Sequence, residues 1–71
     1  MDVVVDKFER PINDYGGLEY IYKIGIVPGG RVIKSFYVPV DYEDMEETER
    51  QVIKDIKVYL KENGFNAVNK F

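Results

Sequence analysis

The chain has 71 residues, with 13 acidic and 10 basic side chains, and it contains no histidine, cysteine or tryptophan. This length corresponds to one small domain, and the absence of imidazole and thiol groups excludes the common zinc sites, disulfide frameworks and histidine- or cysteine-dependent catalysis. We therefore expect neither enzymatic activity nor a cofactor. No apolar run approaches the roughly 20 residues that a membrane span requires, and the start of the chain lacks a signal-peptide pattern, so we expect a cytoplasmic protein that does not contact membranes.

Three segments have the pattern of β-strands. Residues 2–9 are rich in valine and are followed by Arg10-Pro11, which ends a strand because proline lacks an amide donor. Residues 18–27 alternate regularly between two faces, and the following Pro28-Gly29-Gly30 predicts a hairpin turn. Residues 31–40 form the third candidate strand, and Pro39 favours a position near its end or at a sheet edge.

The alternation assigns the strand side chains to two faces of a sheet. One face is expected to join the core and carries Tyr20, Tyr22, Ile24, Val32, Phe36 and Val38. The opposite face then carries Ile21, Val27, Ile33 and Tyr37 and is more apolar than a solvated sheet face requires. Two interpretations remain open. Either another protein or a second copy binds this face, with Tyr37 as an anchor, or the C-terminal segment folds over it through Phe65, Val68 and Phe71.

The strands are followed by an amphipathic helix. Asp41 is suited to the N-cap, and Val40 with Met45 fits a hydrophobic staple. The apolar side chains recur at three- and four-residue steps: Met45, Val52, Ile53, Ile56 and Leu60. Gly64 predicts the end of the helix, with Phe65 folded back on Leu60. We expect an α+β fold in which a three-stranded antiparallel sheet is followed by one helix packed on one face (βββα). Residues 66–71 fit either a frayed tail or a short fourth strand.

Charge is distributed unevenly along the helix. Its start is acidic through Asp41, Glu43, Asp44, Glu46, Glu47 and Glu49. This acidic cluster fits either a contact surface for a basic partner or a solvated helix start that complements the helix dipole. The second half carries a basic ridge, which we define as Arg50, Lys54, Lys57 and Lys61. The ridge fits either contact with a phosphate backbone or an ordinary solvent-exposed face.

These features favour a non-enzymatic protein-binding module that acts through the acidic cluster and the apolar sheet face, either on a partner protein or as a homodimer. Its size and charge are typical of small regulators or inhibitors, including phage-encoded proteins that block host nucleic-acid enzymes. The alternative is a small nucleic-acid-binding module that uses the basic ridge and the sheet, although the formal net charge of −3 opposes binding to phosphate.

Overall fold

A computed structural model describes residues 1–11, 18–39 and 45–71 of the chain. The elements in these ranges are β1 (Asp2–Pro11), β2 (Leu18–Ile26), β3 (Val32–Pro39), α1 (Met45–Asn63) and β4 (Asn66–Ala67). The expected α+β class and βββα order are confirmed, and the C-terminal segment contributes the short fourth strand. The N-cap expected at Asp41 and the staple expected between Val40 and Met45 lie outside what the structure describes.

The strands form one sheet in the order β3-β2-β1-β4. The three long strands are antiparallel neighbours, whereas β4 runs parallel to β1 and pairs Asn66 with Asp2. Beyond β4, the side chain of Asn69 continues this contact: its Nδ2 donates to the carbonyl oxygen of Val5 at 2.7 Å, and its Oδ1 accepts from the Val5 amide at 2.9 Å. Asn69 therefore satisfies backbone groups of β1 as a neighbouring strand would.

The core lies between the sheet and α1. The fully buried side chains are Val3, Ile24, Val38 and Ile56, each with no exposed surface. Around them pack Val5, Tyr20, Tyr22, Phe36, Val52, Ile53, Tyr59, Leu60, Phe65 and Phe71. The helix spacing and the alternation of β2 thus predict the inward faces correctly, because both elements bury only the stripe that their periodicity defines.

The alternation of β3 is interrupted near its start. Ile24 pairs with Lys34, and the next residue, Gly25, pairs with Val32, so Ile33 is an additional residue that forms a β-bulge. Ile33 packs against the core, whereas Val32 is 48% exposed and shares the opposite face with Gly25. The expectation that Val32 is buried and Ile33 lies on the open face is therefore wrong. One inserted residue exchanges the faces of all residues on one side of it.

The helix ends where the sequence predicts. Gly64 adopts a positive φ of 68°, and the Phe65 amide donates to the carbonyl oxygen of Leu60 at 2.9 Å. The Gly64 amide donates to the carbonyl oxygen of Lys61 at 3.3 Å, which completes a Schellman motif. This turn directs Phe65 back toward the helix, where its ring packs edge-to-face against Tyr59 with 6.0 Å between the centroids. The chain can then continue directly into β4.

Candidate functional site

The face of the sheet opposite α1 carries a row of three apolar side chains across the strands. Phe8 on β1 is paired with Ile21 on β2, which is paired with Tyr37 on β3. Ile21 is only 7% exposed, whereas Phe8 and Tyr37 are 47% and 56% exposed. Directly paired side chains of one face lie about 5 Å apart, so the two rings flank Ile21. We call Phe8, Ile21 and Tyr37 the apolar row.

Charged pairs flank the apolar row on both sides. Two residues before Phe8 along β1, Asp6 is paired with Lys23; two residues after it, Arg10 is paired with Glu19. Arg10 Nη2 and Glu19 Oε2 form an ion pair at 2.6 Å, and Lys23 Nζ lies 4.9 Å from the centroid of the Phe8 ring. The open face therefore combines an apolar centre with two acids and two bases, which sum to zero net charge.

The C-terminal segment does not cover this face. Phe65 and Phe71 pack against the core on the helix side of the sheet, and Val68 is 53% exposed. The Val68 amide donates to the carbonyl oxygen of Val3 at 2.9 Å, so the segment runs along the edge of β1. The interpretation in which Phe65, Val68 and Phe71 fold over the open face is therefore wrong. In residues 1–11, 18–39 and 45–71, no segment shields the apolar row from solvent.

Phe8 is the member of the row that the sequence analysis did not assign to this face. The consecutive valines at positions 3–5 hide which residues of β1 alternate inward. The expected Ile21 and Tyr37 are on the open face, Ile33 is not, and Val27 lies in the turn after β2. The sequence does indicate the face of Phe8, because Phe8 lies two residues from the charged Asp6 and Arg10 and therefore points to the same side of β1.

The acidic cluster is not brought together as one surface in the described ranges. The side chain of Glu46 is 92% exposed and Glu47 is also exposed, whereas Glu49 faces the sheet. The expected members Asp41, Glu43 and Asp44 lie outside the described residues. Glu49 precedes Val52 and Ile53, which pack against the core, by three and four residues, so it belongs to the inward stripe of α1. From the sequence alone, Glu49 is predicted only as a member of the acidic cluster at the helix start.

Glu49 forms a small polar cluster with two residues of the sheet. Its Oε1 accepts a hydrogen bond from the Tyr22 hydroxyl at 2.6 Å and an ion-paired hydrogen bond from Lys7 Nζ at 2.7 Å. Lys7 Nζ also lies 4.2 Å from the centroid of the Tyr20 ring. The hydrogen bond from Lys7, followed by that from Tyr22, lowers the pKa of Glu49, while desolvation by burial and the Glu49 carboxylate raise the pKa of Tyr22. This geometry holds α1 against β1 and β2.

The basic ridge is exposed along its length. Arg50 Nη2 lies 3.8 Å from Glu46 Oε2, one helical turn earlier. Among the described residues, no carboxylate lies within ion-pair distance of Lys54, Lys57 or Lys61. Val58, beside the ridge, is 53% exposed. The ridge is therefore available to an anionic ligand.

Among the described residues, no three acidic side chains are grouped so that they could hold a metal ion. Within the same ranges, no helix has both the length and the apolar character needed to cross a membrane. Comparisons of the chain with protein-family models, with curated proteins and with solved structures found no match.

Proposed function

We propose that this protein is a non-enzymatic protein-binding module whose contact surface is the open face of the sheet. The observation that carries the proposal is the apolar row, in which Phe8 and Tyr37 stand about half exposed on either side of Ile21. Exposed aromatic side chains grouped at the centre of a surface and surrounded by polar residues are typical of protein interfaces. The absence of histidine and cysteine from the chain supports a binding function.

The sheet suits this role because it presents the row on rigid backbone. Phe8, Ile21 and Tyr37 come from three hydrogen-bonded strands, and the core residues behind them are fully buried. Because this surface is already ordered, binding of a partner would cost little conformational entropy here, which favours affinity. Such a module would act as a regulator or inhibitor by occupying a surface of another protein chain. The exposed Glu46 and Glu47 at the start of α1 provide a second, acidic contact in this proposal.

The proposal is tested by site-specific photo-crosslinking. A photoreactive phenylalanine analogue replaces Tyr37 on the open face, or Val58 on the outer face of α1 as the control. These two residues have similar exposures, 56% and 53%, so a difference between them reports on the face and not on accessibility. We expect protein adducts from position 37 in the cells that express the chain and none above background from position 58. Equal yields at both positions, or no adduct at position 37, would contradict the proposal.

A second candidate function is nucleic-acid binding through the basic ridge. The observation that favours it is the exposure of Lys54, Lys57 and Lys61 without a carboxylate partner among the described residues. Contacts from four basic side chains to phosphates make affinity fall steeply with salt. Titration of labelled DNA and RNA at about 50 mM salt, followed by a salt series, tests this function. Binding that is weakened by neutralising the ridge would support it, and absence of binding would leave the open face as the functional surface.

A further inference from the structure

We propose that the partner of the open face is the same face of a second copy of this chain, arranged about a two-fold axis that runs along the apolar row. This inference rests on the proposed function, because it identifies the protein that the open face binds. It is drawn from the order of charges on either side of the row. A two-fold interface must be complementary to itself, so the surface must carry matching groups at positions that the axis exchanges.

A two-fold axis along the row exchanges its two sides. Residues that precede Phe8 along β1 in one copy then face residues that follow Phe8 in the other. Asp6 of one copy lies opposite Arg10 of the second copy, and on β2 Lys23 lies opposite Glu19 in the same way. All four contacts between the flanking rows join opposite charges, while Phe8, Ile21 and Tyr37 each pack on their own counterparts.

The in-plane two-fold axis at right angles to the row lacks this complementarity. An axis along the strands, through Ile21, would place Lys23 opposite Lys23 and Glu19 opposite Glu19. Like charges that face each other across an interface are unfavourable, so the arrangement along the row is preferred. The zero net charge of the face also suits a second copy. A strongly acidic or basic partner would meet as many repulsive as attractive groups.

The edges of the sheet are less suited to pairing than its face. The first half of the β1 edge is covered by β4, which pairs with Asp2 and Val3, and by the Asn69 side chain, which pairs with Val5; the second half ends at Pro11. At the other edge, β3 carries the bulge at Ile33 and the exposed Lys34 and ends at Pro39. Bulges, lysine and proline on an edge strand all oppose the addition of a further strand. Self-association is therefore expected through the face.

The size of the face limits the interface that a dimer can form. The molecule extends 40 and 23 Å along its two longer axes, which limits one face to roughly 900 Å². A standard-size interface buries about 800 Å² on each partner, so nearly the whole face must participate. Interfaces of this size span micromolar to picomolar affinities. We expect a dissociation constant at the micromolar end, because among the described residues the apolar centre of the face has only three side chains, and the measurements therefore cover about 1 µM to 1 mM protein.

Charge reversals test the arrangement by sedimentation equilibrium of the purified full chain. Asp6→Arg alone places arginine opposite arginine twice in the dimer, and Arg10→Asp alone places aspartate opposite aspartate twice. We expect each variant to dimerise at least tenfold more weakly than the wild type. An equimolar mixture of the two variants restores both opposite-charge contacts and is expected to form heterodimers. Glu62→Arg, exposed on α1, and Lys70→Asp, exposed after β4, are controls for the same changes in net charge, and circular dichroism checks the fold of each variant.

Recovery of the dimer only in the mixture supports the proposed arrangement. A wild type that stays monomeric at 1 mM overturns the inference. If position 37 still yields adducts with a different protein, the proposed function stands and only the identity of the partner is wrong. A wild-type dimer that neither Asp6→Arg nor Tyr37→Lys weakens overturns the use of this face. Weakened single variants that do not recover in the mixture overturn the two-fold axis along the row.

Discussion

Replacing Glu49 by glutamine removes one charge from the polar cluster that joins α1 to the sheet. The glutamine keeps the shape of the side chain and an amide oxygen that can accept from the Tyr22 hydroxyl. It no longer pairs with the ammonium group of Lys7. We expect Glu49→Gln to lower the free energy of unfolding at pH 7, because both hydrogen bonds that Glu49 accepts are strengthened by its negative charge.

The size of the loss follows from the exposure of the partners. The Lys7 side chain is 39% exposed, so its ion pair is screened by water and contributes in the lower part of the range of about 0.2–1 kcal/mol for such pairs. Tyr22 is only 3% exposed, and its hydrogen bond to a charged acceptor exceeds one to a neutral acceptor by roughly 1 kcal/mol. Together these terms predict a loss of about 1–2 kcal/mol. In a domain of this size, each kcal/mol lowers Tm by about 4–8 °C.

The dependence on pH separates this explanation from a change in packing. The native state lowers the pKa of Glu49 below its ordinary value, so the native state binds its proton less readily than the unfolded chain does. Such a group stabilises the fold above the unfolded pKa, and this contribution is lost as the pH falls through the lower native pKa. The difference in the free energy of unfolding between the wild type and Glu49→Gln is therefore expected to be largest near pH 7 and to disappear in strong acid.

Urea unfolding of both proteins at pH 7, 5, 3 and 2 measures this difference. Glu46→Gln is the matched control, because Glu46 lies one turn earlier on the same helix and its side chain is 92% exposed. We expect the control to change the free energy of unfolding by less than about 0.5 kcal/mol, as is usual for surface substitutions. An equal effect of the two substitutions at pH 7, or a Glu49→Gln effect that persists unchanged to pH 2, would refute the reasoning.

Three further predictions test the fold. Ile33→Lys is expected to lower the free energy of unfolding by about 1–3 kcal/mol, because the bulge directs Ile33 toward the core. Val32→Lys is expected to lower it by less than about 0.5 kcal/mol, because Val32 is exposed. Denaturant unfolding measures both, and the reverse order would disprove the assigned bulge. Gly64→Ala is expected to lower the free energy of unfolding by about 1–2 kcal/mol. The added Cβ would meet no atom within 4 Å, so the loss would come only from the positive φ. An unchanged Tm would contradict this. Asn69→Ala is expected to speed hydrogen exchange at the Val5 amide, and unchanged protection there would show that the Asn69 contact is dispensable.

The regular parts of the fold are predictable because they depend on local periodicity. The alternation of residues 18–27 predicts the buried Tyr22 and Ile24, and the helical spacing predicts the buried Ile56 and Leu60. Gly64 predicts the helix end because few other residues adopt a positive φ without strain. These signals are each contained within a few neighbouring residues.

The features that the sequence analysis missed depend on contacts between distant segments. The bulge at Ile33 is set by pairing with Ile24 and Gly25, and nothing in the alternation of β3 itself marks it. Glu49 lies on the inward stripe of α1, but its partners Lys7 and Tyr22 are more than 25 residues earlier, so the helical spacing alone does not identify the polar cluster. The row across the open face depends on the register of three strands, so Phe8 could be placed in it only once the strand pairing was known.

The sheet is completed by β4, the last element in chain order, and this position affects the order of folding. β1 meets β2 through a short connection, whereas residues 66–69 must arrive from the far side of α1. Loop-closure entropy favours the early pairing of β1 with β2, so β4 and Asn69 are expected to dock last. Until they dock, or whenever they open, the valine-rich β1 is an unprotected edge strand. A chain that loses Asn69 would then be prone to aggregate through β1 before its core is disturbed.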